Sequence, residues 1–278
     1  MSLSWNESLR VALCPRRAGL VRMSRGWRQR IIEGSVTTQP ASEAGNPPWA
    51  GTLAALSEGI AGMNGHGAEV TVVLSNHFAR YLLVPRNDAL LGEVEALAHA
   101  RHFFIRAYGA IAESWDIRLS SANGGPQVAC AIDAELLSGL DQAVAASGRR
   151  LVSVQPYLMA AFNRWRRELL DPVAWFVLAE QDRICLAAFK DGHWRQLTNL
   201  QTGSDWVRRL PELLARQRRL SGLDEVPGKV YLFAPDEHAG PSLQHAGEAV
   251  RSLRAKQQAL RPELSAGEAA CLEMALNG

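Results

Sequence analysis

The sequence predicts an α/β protein built from one structural unit used twice, with a cleft between the copies. Three observations lead to that fold class. Near the N-terminus, LRVALCP (9–15), GLVRMS (19–24) and WRQRIIEG (27–34) are half-alternating apolar runs broken by Pro, Gly or Arg-rich turns, as short strands are. After Asp171-Pro172 the pattern restarts with AWFVLAE, RICLAAFKD and HWRQLTNL, joined by EQD and DGH turns. The third run of each triplet opens alike, with Trp27-Arg28-Gln29 and Trp194-Arg195-Gln196, before helix and strand begin to alternate. An internal repeat sets architecture ahead of any motif, and strands followed by alternating helix and strand imply helices layered on a sheet. The expected domains are 1–170 and a smaller 171–278, with a hinge at 170–173, where Pro172 biases the preceding residue away from helical geometry.

The remaining elements follow in order. A polar loop, SVTTQPASEAGNPP, leads to a helix in which Leu53, Leu56, Ile60 and Met63 recur at helical spacing. VTVVLSNHFARYLLVP (70–85) holds two β-prone runs around Ser75, Asn76 and His77, and a helix is expected over 89–107. WDIRLS and QVACAID flank SANGGP, whose glycines suit a tight reversal and predict a hairpin. A helix at 136–146, the strand LVSV and a helix at 156–170 come next, with Pro156 suited to a first helical turn and Leu158, Phe162, Trp165 and Leu169 near one face. After the second strand triplet come a helix capped by Ser204, the strand KVYLFA and helical material to the end, where Ser265 and Glu268 make a capping box before ACLEMAL.

Composition excludes several functions. The chain has 278 residues, 30 basic against 28 acidic, for a net charge of +2. That field is too weak to argue for nucleic acid. Cys14, Cys130, Cys185 and Cys271 are scattered with no CxxC or zinc-ligand spacing, which suits free thiols in a reducing cytoplasm. No run approaches the roughly 18 apolar residues of a membrane helix.

Several polar groups invite a functional reading. Ser75, His77 and Arg80 could act as nucleophile, base and oxyanion partner, but no third group orients the histidine, and a turn at a strand end outweighs that reading. His99 and His102 lie three apart on a helix without a further ligand nearby, which suits a solvated face. Arg16, Arg17, Arg22, Arg25, Arg28 and Arg30 form a basic run that could meet anionic lipid at about 1 kcal/mol per residue. In WVRRLPELLARQRRL, Trp206, Leu210, Leu213 and Leu214 fall on one side and Arg208, Arg209, Arg216, Arg218 and Arg219 mostly elsewhere. This suits a surface helix packed on its own sheet better than a membrane-bound one.

The duplicated βββαβα order points to the actin-like (RNase H-like) superfold, and three segments carry a closer resemblance. VTVVLSNHFARYLLVP resembles the part of type IV pilus and type II secretion assembly proteins where a strand ending in Ser plus Asn or Asp precedes a strand ending at Pro. SGRRLVSVQPYLMAAFNRWR (147–166) resembles their strand entering a Pro-started helix, and AACLEMALNG (269–278) their closing helix. These are the actin-like cytoplasmic proteins of the PilM, GspL and MshI type. The resemblance implies a cytoplasmic adaptor at the inner face of the inner membrane. Its partner would be an inner-membrane protein with a PilN-like tail, bound in a groove of the first domain near Asn76, Arg80 and Tyr81. Nucleic acid is not an implied partner, membrane association would come through the partner, and homo-oligomerisation is left open.

Actin-like proteins hold ATP between their domains, where a first hairpin with an acid and glycines meets the phosphates, because backbone N–H groups reach phosphate only where no side chain intervenes. Carried onto this chain, that cleft would involve Pro15, Arg16 and Arg17 in the first hairpin, Gln181 and Asp182 in the second, and Asp236 in the adenosine turn. The turn Cys14 to Gly19 has no carboxylate, and Pro15 removes a donor. The second turn has acids but no glycine, and Asp236 and Glu237 would repel phosphate. The expectation is therefore a pseudo-ATPase: not an enzyme, without cofactor and without metal. The other reading is an ATPase or phosphotransferase that uses ATP and Mg²⁺ through divergent loops.

Overall fold

The computed structural model describes residues 7–24, 30–40, 46–64, 68–87, 92–120, 125–223, 228–235, 250–254 and 264–277. The strands are β1 (Glu7–Cys14), β2 (Arg17–Ser24), β3 (Ile31–Thr38), β4 (Glu69–Leu74), β5 (Ala79–Val84), β6 (Trp115–Leu119), β7 (Gln127–Asp133), β8 (Arg150–Pro156), β9 (Val173–Glu180), β10 (Arg183–Lys190), β11 (His193–Gln201), β12 (Lys229–Phe233) and β13 (Val250–Ser252). The helices are α1 (Ala50–Gly62), α2 (Glu93–Tyr108), α3 (Ala134–Ala146), α4 (Tyr157–Trp165), α5 (Trp206–Ser221) and α6 (Ala266–Ala275).

The duplication is visible in the strand orders. One sheet runs β3-β2-β1-β4-β8 and another β11-β10-β9-β12-β13, the same arrangement twice. In each, the first strand pairs antiparallel with the second and parallel with the fourth. A third sheet, β5-β7-β6, is the SANGGP hairpin with β5 added, although 121–124 of that turn lie outside the described residues.

Two compact units result, and they are discontinuous in sequence. One gathers the described residues of Met1–Phe78, Ala134–Arg164 and Lys256–Gly278, the other those of Ala79–Asp133 and Trp165–Ala255. These units cut across the linear division at 170/171, because 79–133 clusters with the later strands and the closing helix with the earlier ones.

In the first unit the sheet is covered on both faces. Neighbouring residues of β2 show it: Leu20 meets α1, where a Cβ on Gly59 would lie 2.5 Å from its Cδ1, while a Cβ on Gly19 would lie 2.9 Å from Cys271 Sγ on α6. Successive strand residues point to opposite faces, so each helix approaches closely only because a glycine faces it. In the second unit every residue of β9 is buried. Its Trp175, Val177 and Ala179 pack with Ile184 and Leu186 of β10 against Trp206, Leu210 and Leu214 of α5. The expected apolar stripe of α5 is therefore its core face, and the helix continues through Pro211. A smaller core of Phe104, Trp115, Ile117 and Ala131 joins α2 to the third sheet.

Three strands at sheet ends, β3, β8 and β11, carry a bulge. The registers skip Ile32, Val152 and Arg195. Ile32 and Val152 are exposed hydrophobics for that reason: the extra residue leaves the pleat alternation. A bulge also twists an edge away from pairing with a stray strand.

Several boundaries differ from the sequence reading. The third strand covers 31–38 rather than 27–34, because Ser35 to Thr38 pair with β2, and Trp27-Arg28-Gln29 lie outside the described residues. Pro156 ends β8 instead of opening a helix, since its pairing with Leu74 closes the β4–β8 ladder. The following helix stops at Trp165. Asp205, not Ser204, is the N-cap of α5 and makes no side-chain cap bond. A short strand, β13, lies parallel to β12 where helix was expected. The capping box of α6 is present, with Ser265 N donating to Glu268 Oε2 at 2.9 Å and Glu268 N to Ser265 Oγ. No helix among the described residues is long and apolar enough to cross a membrane.

Arg149 ties two helices together. It follows Gly148, which ends the α3 turn at φ 70°, and is buried with its Nη2 donating to Met63 O at 2.8 Å and its Nη1 to Ile60 O at 3.5 Å. It thus satisfies the Met63 carbonyl just past α1 and shares the Ile60 carbonyl with the Met63 N–H. Burial lowers its pKa. Arg149→Ala is expected to cost about 1–3 kcal/mol by removing the donor to the Met63 carbonyl from a buried position. A urea titration should show a lower midpoint at unchanged slope, with Arg149→Lys falling between the two.

Candidate functional site

Each copy opens with a two-residue hairpin fixed by the same backbone bond. Pro15 and Arg16 join β1 to β2, with Arg16 at φ 60°, and Gln39 N, just past β3, donates to Arg16 O at 2.8 Å. Gln181 and Asp182 join β9 to β10, with Asp182 at φ 58°, and Thr202 N, just past β11, donates to Asp182 O at 3.0 Å. The four turn residues are exposed.

The first turn has a further tie. Arg16 N donates to Thr52 Oγ1 at 3.1 Å, and the Thr52 hydroxyl donates to Cys14 O at 3.1 Å. Thr52 is wholly buried in the opening turn of α1. With Pro15 lacking an N–H, the donor at Arg16 is directed into the unit rather than outward. Arg17 lies along α6, its Nη1 2.7 Å from where a Gly267 Cβ would be. The Glu268 carboxyl is held below its usual range by the Ser265 hydroxyl and backbone N–H, with a smaller effect from Arg17. Asp236 lies outside the described residues, which here end at Pro235.

The Ser75-Asn76-His77 interruption is a turn carrying the chain from one sheet to another. Ser75 N donates to Leu13 O and Phe78 N to Ser75 O, while Ser75 Oγ and His77 Nδ1 are 2.8 Å apart. Ser75 and Asn76 are fully buried. Asn76 Oδ1 accepts from Leu158 N at 3.1 Å and so fixes the start of α4. Tyr81 is buried as well, whereas Arg80 is half-buried with its guanidinium carbon 6.0 Å from the Trp115 ring centroid. Burial and then the neighbouring Arg183 lower the Arg80 pKa. The strand is less open than its sequence suggests: Asn199 Nδ2 of β11 donates to Ala79 O at the start of β5 at 3.3 Å.

The other candidates separate. His99 and His102 both pack edge-on to Phe103, and no group of three His, Cys, Asp or Glu among the described residues could hold a metal. Arg22 is ion-paired between Glu7 and Glu33, which offsets its charge within the basic run, and Arg25 and Arg28 lie outside the described residues. Thr52 escaped the sequence reading. Its one signal is a threonine in the first turn of an otherwise apolar helix.

If Thr52 sets the first turn, Thr52→Val should destabilise the protein by about 1–3 kcal/mol, since the Arg16 N–H and Cys14 carbonyl each lose a buried partner. Thr52→Ser keeps the hydroxyl and should recover most of the loss in thermal denaturation.

No protein-family model matches the chain, and no curated protein matches it in sequence. Solved structures do. A chain of the PilM–PilN type IV pilus biogenesis complex superposes with TM-score 0.63 at 16% identity over 97% of both chains. A Bacteroides thetaiotaomicron protein with an actin-like ATPase fold and unknown function gives 0.60 at 10% identity over 87% of this chain and 86% of that one. The cytoplasmic domain of EpsL, an inner membrane component of the type II secretion system of Vibrio cholerae, gives 0.56 at 14% identity over 98% and 95%. With two sheets of identical strand order and end-to-end matches of this kind, the chain has a duplicated actin-like fold.

Proposed function

We propose that this chain is a non-catalytic actin-like adaptor of a type IV pilus or type II secretion-like assembly machine, binding the cytoplasmic tail of a single-pass inner-membrane protein. The observation that carries this reading is the end-to-end fold likeness to a chain of the PilM–PilN complex, 97% of each chain, with the EpsL cytoplasmic domain alongside.

The hairpin chemistry supports the non-catalytic half. Phosphoryl transfer needs metal, phosphate and water held together. The Cys14 to Gly19 turn offers no carboxylate, and its Arg16 N–H is bonded to Thr52. On this reading the protein works in the cytoplasm at the inner membrane and is held there by its partner. A short tail laid in a groove gains main-chain hydrogen bonds for affinity and side-chain pockets for register. Arg80 is the candidate contact with a planar, charged fork at a half-buried position. Asn76 and Tyr81 are buried and offer no exposed side chain to a tail.

The test is calorimetry with synthetic peptides matching the cytoplasmic tails of single-pass inner-membrane proteins encoded beside this chain. One tail should bind saturably, and Arg80→Ala should weaken it about tenfold or more, as loss of a charged contact of 1.5–3 kcal/mol does. If no tail binds, or Arg80→Ala leaves binding unchanged, the adaptor reading in this form fails.

A further inference from the structure

We propose that Cys14, Cys271 and Met274 form a binding site for a soft monovalent cation, Cu(I). Cys14 ends β1, and its Sγ lies 3.7 Å from Cys271 Sγ and 3.8 Å from Met274 Sδ. Cys271 and Met274 are three apart on α6 and so share one helix face. All three belong to the same compact unit. Two segments separated by more than 250 residues thus bring three sulfurs to one point.

The donor set selects the ion. Thiolate and thioether sulfurs are soft ligands that favour Cu(I), whereas Mg²⁺ and Ca²⁺ take oxygen. In a trigonal site with metal–sulfur bonds of about 2.3 Å the sulfurs stand about 4 Å apart, within a few tenths of the two separations present. Zinc would want a fourth ligand, and among the described residues no further His, Cys, Asp or Glu completes such a group.

The surroundings fit a charged guest. Binding one Cu⁺ to two thiols releases two protons and leaves a site of net charge −1. Arg17 pairs with Cys14 across the hairpin, and its guanidinium lies against Gly267, one turn before Cys271 on α6. A positive charge is therefore near at hand to balance the complex. Gly19 keeps the space open, since a Cβ there would sit 2.9 Å from Cys271 Sγ. Cys271 and Met274 are buried, while Cys14 is partly accessible beside the exposed Pro15-Arg16 turn and gives the ion an entry. Cys130 belongs to the other compact unit and is not part of this group of sulfurs. The site is independent of the adaptor reading and stands or falls without it.

The experiment is an anaerobic competition for Cu(I) between the reduced full-length protein and the chromogenic chelator bicinchoninate. The wild type should withdraw one equivalent, Cys14→Ser and Cys271→Ser should withdraw none, and Cys130→Ser should match the wild type. Met274→Leu should weaken retention by about tenfold or more, as losing a supporting group at a metal site does. X-ray absorption of the loaded protein should show three sulfur neighbours. If Cys271→Ser does not fold, Cys14→Ala at the more accessible position decides. Failure of the wild type to compete, or full retention by the Cys14 variants, would overturn the proposal.

Discussion

The fold rests on strands that have no solvent face. β9 is buried along its whole length, and Leu9 and Val11 to Leu13 of β1 are buried likewise, because each strand is hydrogen-bonded on both edges and covered on both sides. A strand in that position must be apolar throughout, which AWFVLAE nearly is, and a parallel neighbour demands a crossover long enough to hold a helix. α5 supplies that crossover between β11 and β12, and its Trp206, Leu210 and Leu214 cover one face of the sheet. The same constraint places the hairpin turns. A buried central strand returns to the surface only at its ends, so Pro15-Arg16 and Gln181-Asp182 are exposed, and each turn is tied down by a bond from the residue just past the third strand of its copy.

Much of this was legible because burial leaves a simple mark. The continuous apolar runs at the start of each copy, the restart after Asp171-Pro172 and the capping box at Ser265 all have local causes. What was not legible depends on partners distant in sequence. Ser35 to Thr38 read as loop because their polarity hides a strand at a sheet end, where pairing with β2 outweighs composition. Pro156 read as a helix start, yet it sits at the end of a ladder where its missing N–H costs nothing. The grouping of 79–133 with the later strands has no local signature at all.

The candidate site was legible in its chemistry and not in its geometry. That the first hairpin lacks a carboxylate is written in Cys14 to Gly19. That its Arg16 N–H is bonded to Thr52 comes from helix α1 packing beneath the turn, 36 residues along the chain. The resemblance put Asn76 at the partner groove; instead the turn joins two sheets and the Asn76 side chain is buried, its Oδ1 accepting from Leu158 N of α4. The sulfur cluster beside the same hairpin could not be read either, since Cys14 and Cys271 stand at opposite ends of the sequence.

On the adaptor reading proposed above, the opening hairpin of this actin-like fold is braced from within, through Thr52, rather than held open for phosphate. The most direct measurement is steady-state phosphate release by the purified chain with ATP and Mg²⁺, with and without a bound tail peptide. An adaptor built this way releases no phosphate above background in either condition. Robust turnover abolished by Asp182→Ala would contradict it.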